Sequence, residues 1–94
     1  MQTNKLGKTA TKVFYTGNGL TVIRYHETGV VTFNDEKIVL NTGGYFTRTT
    51  KARMNQTSSQ FNLGYRVYQE KGLWNVDYKG KNYLFIEDKI ELNR

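Results

Sequence analysis

The chain has no cysteine and no proline, a single histidine and a single tryptophan among 94 residues. Without cysteine there is no disulfide scaffold, no thiolate metal site and no cysteine nucleophile. One histidine, His26, cannot build a two-histidine zinc motif, and no Ser-His-Asp arrangement surrounds it. No apolar run approaches the roughly 18 residues needed to cross a membrane, and the first residues lack the apolar stretch of a signal peptide. A reducing cytosolic setting and no membrane partner are the corresponding expectations. Acid is also missing locally: no Asp or Glu occurs between Glu36 and Glu70.

What is present fits one folded domain. Hydrophobic residues make up 37% and aromatics 14%, spread from Val13 to Leu92, enough for one core at this length. Only residues 1–10, polar and carrying two lysines, read as a flexible N-terminal segment, leaving 11–94 as a single β-rich domain. Net charge is +6. It is uneven: residues 1–53 hold eight bases and three acids, and residues 54–94 hold six and five. Such a balance favours salt-sensitive attraction to nucleic acid, acidic proteins or acidic lipid without choosing among them.

Turn signals recur at short spacing, at Gly17-Asn18-Gly19, Thr28-Gly29, Asn34-Asp35-Glu36, Thr42-Gly43-Gly44, Lys71-Gly72, Lys79-Gly80 and Glu87-Asp88. Between them, Val-, Ile-, Thr- and aromatic-rich runs predict strands near 11–16, 20–26, 30–33, 37–40, 65–70, 73–78, 82–86 and 89–92. Alternation in 73–78 points Trp74, Val76 and Tyr78 to the core. Residues 49–60 lack both this alternation and any Gly or Pro, and predict one central helix with Thr49 or Thr50 as N-cap. Met54, Thr57 and Phe61 would form its narrow docking stripe. The expected fold class is therefore α+β, mainly antiparallel, with seven or eight short strands in two hairpin-linked meanders, arranged as a bent sheet or a small barrel.

The segment with chemical promise runs from Asn41 through Gly43-Gly44 into the helix. Glycines let backbone N–H groups turn inward, and a helix N-terminus with guanidinium groups beside it can hold phosphate or carboxylate. Helix starts favour acids. Here Arg48, Lys51 and Arg53 crowd the start instead, which is the reason to expect an anionic partner. The spacing is not that of a P-loop, so nucleotide hydrolysis is not implied. The alternative is an ordinary turn with solvated bases. Candidate nucleic-acid or anion-binding residues are thus Gly43, Gly44, Arg48, Lys51, Arg53 and Arg66, with Asn41, Asn55 and Gln56 flanking them as potential readers of base edges.

Tyr45, Phe46, Tyr65, Tyr68 and Tyr78, with Arg66 nearby, could supply rings for unpaired bases, or could be core and cross-strand pairs. Tyr45, Phe46 and Tyr68 double as potential anchors for a protein partner. Asp35 with Glu36 and Glu87 with Asp88 lie in predicted turns, where short acids satisfy local backbone groups. Ser58 and Ser59 have no evident activating base. The expectation is a protein that is not an enzyme and needs no metal or other cofactor.

The pattern Gly43-Gly44-x-x-Thr47-x-Thr49-Thr50-Lys51-x-Arg53-Met54-Asn55-Gln56, followed by Tyr65-Arg66-Val67-Tyr68 and Leu73-Trp74-x-Val76, resembles a group of small, uncharacterised bacteriophage-encoded proteins over 31–78. Tyr45-Phe46 replaces the Trp-Arg often found after the glycines in that group. The resemblance implies a compact accessory protein acting in the cytoplasm of an infected bacterium. It assigns no activity and no site residue. Contact with nucleic acid, binding of an acidic host protein as inhibitor or modulator, and a structural place in the virion are the functional expectations.

Overall fold

A computed structural model describes residues 11–44, 46–85 and 87–94. The expected flexible segment 1–10 and the candidate anchor Tyr45 lie outside the described residues. The element order is β1 (Thr11–Tyr15), β2 (Thr21–Tyr25), β3 (Thr28–Phe33), β4 (Lys37–Asn41), α1 (Arg48–Phe61), β5 (Tyr65–Glu70), β6 (Leu73–Tyr78), β7 (Lys81–Leu84) and β8 (Lys89–Asn93). All strand pairs are antiparallel, and the fold is α+β.

Two sheets form, one in the order β1-β2-β3-β4-β8 and the other β5-β6-β7. This corrects two expectations. No barrel closes among the described residues, because β1 and β8 stand at opposite edges of one sheet. The second half is also not a four-strand meander: after β7 the chain returns to the first sheet, and β8 pairs with β4. The reason is side-chain alternation. Ile38 lies opposite Leu92 and Leu40 opposite Ile90 on the inner face, while Lys37 Nζ meets Glu91 Oε1 at 2.9 Å on the outer face. That ion pair is solvent-exposed and adds little stability by itself.

The β2–β3 connection departs from expectation as well. The turn is His26-Glu27, with His26 at φ 55°, and Gly29 lies within β3 opposite Arg24. A bulge follows, since Ile23 pairs with Val31 and leaves Val30 as the extra residue. Gly29 therefore serves the strand rather than the turn.

Ile23, Val31, Ile38, Leu40 and Leu92 line the inner face of the first sheet, and Tyr65, Val67, Trp74, Val76 and Tyr78 are buried in the second. Trp74, Val76 and Tyr78 do face the core. Helix α1 packs on β5, β3 and β2 and buries Thr50, Met54, Thr57 and Ser58. Its N-cap is Thr47, not Thr49 or Thr50: the Thr47 hydroxyl accepts from the Thr50 N–H at 3.1 Å, and helix begins at Arg48. Phe61 of the expected stripe is only half-buried, against Phe33 at 5.2 Å between ring centres.

Helix α1 also closes an open sheet edge. On β5, Tyr65 and Val67 turn their backbone groups away from β6. The Ser58 hydroxyl donates to the Tyr65 carbonyl at 2.7 Å and accepts its N–H at 3.0 Å. One turn earlier, Asn55 accepts the Val67 N–H at 2.7 Å and donates to its carbonyl at 2.8 Å. Two side chains at i and i+3 thus substitute for a neighbouring strand.

The Tyr65 hydroxyl donates to the Met54 carbonyl at 2.6 Å, and burial pushes the phenol well above its ordinary value of 10.0. The folded state favours the neutral phenol, so this contribution is complete below about pH 10 and is lost as pH rises through the unfolded pKa toward the folded one. Tyr65→Phe is expected to cost about 1 kcal/mol at neutral pH through the lost hydrogen bond. It should also flatten the alkaline fall in stability, as measured by urea denaturation at a series of pH values.

Candidate functional site: the helix-start corner

The Gly43-Gly44 turn is held from within. Asn41 Oδ1 accepts the Gly43 N–H at 2.9 Å, and the Thr42 hydroxyl accepts the Gly44 N–H at 3.2 Å. Both N–H groups expected to face an anion are therefore already bonded inside the turn. The glycines are needed for shape: Gly43 has φ 63°, and a Cβ there would stand 2.6 Å from the Thr28 hydroxyl oxygen. Gly43→Ala is expected to cost about 2 kcal/mol, from the left-handed backbone plus the contact with Thr28. Gly44→Ala meets open space at φ 85° and should cost only the backbone part, roughly 1 kcal/mol. Parallel thermal melts of the two variants separate these causes.

The four candidate cations do not form one cluster. Arg53, one turn into the helix, is half-buried: its Nε donates to the Thr11 hydroxyl at 2.8 Å, Nη1 donates to Gln56 Oε1 at 3.1 Å, and the guanidinium lies 5.6 Å from the Tyr25 ring centre. It ties the helix to β1 and β2. Arg66 sits on the outer face of the second sheet, opposite Asp77 in register, with its guanidinium 5.0 Å from the Tyr68 ring centre. That face is turned away from Trp74 and the helix. Asn55 is committed to the β5 edge and Asn41 to the glycine turn, so neither is free to read a base.

Tyr68 is likewise engaged. Its hydroxyl donates to Asp77 Oδ1 at 3.3 Å and accepts from Asn82 Nδ2 at 2.7 Å, and desolvation followed by the Asp77 charge raises the phenol above its usual range. It is part of a cross-strand network over β5, β6 and β7. Tyr65 and Tyr78 are buried.

Phe46, Arg48 and Lys51 remain, and Phe46 and Lys51 meet on one residue, Trp74. Phe46 immediately precedes the N-cap and is 46% exposed, yet its ring is fixed. It meets Trp74 edge-on with ring centres 5.1 Å apart and Phe85 at 6.5 Å, while Trp74 and Phe85 are themselves edge-on at 6.1 Å. Lys51 Nζ stands 5.7 Å from the Trp74 ring centre. Arg48, the first helical residue, is exposed, and the first turn contains no acid. The corner is thus a partly exposed aromatic ring packed on Trp74 and Phe85, with the Lys51 ammonium over the same tryptophan and Arg48 exposed at the helix start. Trp74 was legible as a core residue. That it also seats Phe46 and Lys51 was not.

A cleft of about 730 Å³ opens on another side of the helix start, lined by Tyr25, His26, Glu27, Thr28, Thr42 and Thr50 among others. Its described lining contains hydroxyls and one carboxylate but neither Arg nor Lys, so it is separate from Arg48 and Lys51. Among the described residues no group of three His, Cys, Asp or Glu side chains is placed to hold a metal ion. No helix described is long and apolar enough to cross a membrane.

The family model described as Kyanoviridae Gp96 protein matches residues 1–91, well beyond the 31–78 stretch of the phage resemblance. No curated protein and no solved structure matches the chain.

Proposed function

The chain belongs to the Kyanoviridae Gp96 protein family and is a small phage-encoded protein, and from that premise we propose that it is a non-enzymatic binding protein that contacts nucleic acid through its helix-start corner. The observation that supports this reading is the Phe46 ring, packed on Trp74 with nearly half its surface exposed, with Lys51 over the same tryptophan and Arg48 exposed two residues along the chain. A fixed ring offers a stacking surface to an unpaired base, a contact of about 1–3 kcal/mol. The two cations suit the phosphates on either side of that base. The absence of acid from residues 37–69 leaves the approach free of repulsion from that stretch.

Because the ring requires an unstacked base, single-stranded DNA or RNA is expected to bind more tightly than duplex of the same length. Fluorescence anisotropy with a labelled 12-nucleotide strand and its duplex tests this across a salt series. Phe46→Ala should weaken binding while preserving its salt dependence. Replacing Arg48 and Lys51 together by Ala should lower the slope of log K against log salt by about 1.4, the counterion-release value for two single-strand contacts. Arg66→Ala serves as the control, since its side chain lies on the far face and should leave affinity unchanged. Equal loss from Arg66→Ala and from the Arg48/Lys51 pair would refute the location.

A further inference from the structure

We propose that two copies of this chain associate edge to edge through β1, in the one register that places Phe14 opposite Phe14 of the second copy. The hydrogen bonding of β1 gives the starting point. The Thr16 N–H donates to the Leu20 carbonyl at 2.9 Å, and β1 and β2 pair Phe14 with Val22 and Val13 with Ile23. In an antiparallel ladder hydrogen-bonded and non-hydrogen-bonded pairs alternate. Phe14 and Thr16 therefore direct their backbone groups to β2, while Val13 and Tyr15 direct theirs to the other side. Strand β1 ends its sheet, and no described strand pairs with that side.

The side chains at this edge are unusual for one that no described strand covers. Isolated edge strands are ordinarily blunted by charge, proline or a covering element. The chain uses such a cover at β5, where Asn55 and Ser58 occupy the edge. On β1 the sequence over 13–15 is Val-Phe-Tyr, and Phe14 is 41% and Tyr15 73% exposed. A Tyr ring left that open, on an edge that no described strand pairs, is suited to a strand that covers both ring and backbone.

Three two-fold registers are available to this segment. Centring on Lys12 sets like charges directly opposite each other, which is unfavourable. Centring on Val13 places Lys12 opposite Phe14 and Tyr15 opposite Thr11. Centring on Phe14 pairs ring with ring on the outer face and Val13 with Tyr15 on the inner face. It also lets Val13 and Tyr15 exchange backbone hydrogen bonds with the partner's Tyr15 and Val13. Arg24, whose guanidinium lies 5.2 Å from the Phe14 ring centre, would flank the new ring pair on each copy. Only the last register is apolar against apolar on both faces. The two sheets would then run on as one ten-stranded sheet.

A contact this short buries less than the roughly 1,200 Å² of a standard interface, so the association should be weak, with a dissociation constant on the order of 100 µM. Sedimentation equilibrium of the full chain, up to about 1 mM, reads it directly. The expected mass climbs from one chain toward two with concentration, and Phe14→Lys returns it to one chain while the circular dichroism spectrum is unchanged. Should Phe14→Lys fail to fold, Tyr15→Lys supplies the same test at a more exposed position.

Register is read by single-cysteine variants, which the cysteine-free chain makes unambiguous. Opposed residues of a non-hydrogen-bonded pair have Cα atoms about 4.5 Å apart, within disulfide range. Phe14→Cys should therefore oxidise to a covalent dimer much faster than Lys12→Cys or Val13→Cys. A mass of one chain at every concentration overturns the proposal. So does preferential cross-linking at residue 12 or 13.

Discussion

Asn55→Ala is expected to lower the unfolding free energy by about 3 kcal/mol, because it leaves both backbone groups of buried Val67 without a partner, at roughly 1–3 kcal/mol each. Asn55 supplies an acceptor and a donor at 2.7 and 2.8 Å, and its own volume is only half-buried, so lost packing is a minor share of the effect. Ser58→Ala should act in the same direction at Tyr65. The two are not expected to add fully, since both hold the same helix against the same strand. Amide hydrogen exchange separates this account from simple helix destabilisation. The Val67 and Tyr65 amides should lose protection in the variants more than the β2 and β3 amides do. A cost below about 0.5 kcal/mol would mean that water replaces the side chain readily and that the helix is not acting as an edge partner.

The second large effect is on binding. Reversing both cations of the corner, Arg48→Glu with Lys51→Glu, should weaken single-strand binding by about 25-fold or more at 0.1 M salt. Loss of two phosphate contacts alone corresponds to about 1.4 decades there, and repulsion from two new carboxylates adds to it. Fold stability should change little at Arg48, which is exposed at a helix start that favours acids, whereas Lys51→Glu gives up the contact of its ammonium with the Trp74 ring, at a cost of about 0.5–1 kcal/mol. A thermal melt of the same sample distinguishes a binding defect from a folding defect, because the expected stability change is smaller than the expected loss of binding. Arg53 does not belong in such a variant: its bonds to Thr11 and Gln56 make its removal a structural change.

Much of the scaffold was readable in the sequence because the signals are local. Two-residue turns such as Lys71-Gly72 and Lys79-Gly80 set the β5–β6 and β6–β7 hairpins, with all four residues at positive φ. Alternation in Leu73–Tyr78 assigned the core face correctly. The partner of β8 was not readable from its turn, because Glu87-Asp88 looks like a hairpin turn whether or not the chain changes sheets. The match between Ile38 and Leu40 on one strand and Ile90 and Leu92 on the other was the available signal. It is a long-range comparison that turn chemistry cannot supply.

The candidate site was readable only as a region. A run without acid located the helix start, but charge along the chain does not reveal which bases are occupied. Arg53 was spent on β1 and β2, Arg66 on the opposite sheet face, and the glycine N–H groups on Asn41 and Thr42. Asn55 and Ser58 read as polar helix surface because their partners are backbone atoms, which have no sequence signature. One clue was present: both adjoin Met54 and Thr57, so they flank the only apolar stripe the helix has. Phe46 gained its meaning from Trp74, which is 28 residues away and on another element.

The most direct measurement is a residue-resolved NMR titration of the full chain with a short single strand, using amide shifts and the Trp74 indole signal together. Trp74 is the only tryptophan and touches both Phe46 and Lys51, so its indole reports on the corner from beneath. The account predicts saturable shifts at Phe46, Arg48, Lys51 and the Trp74 indole, with Arg66 and Tyr68 unmoved. Shifts centred on Arg66 and Tyr68, or none anywhere at low salt, would contradict it.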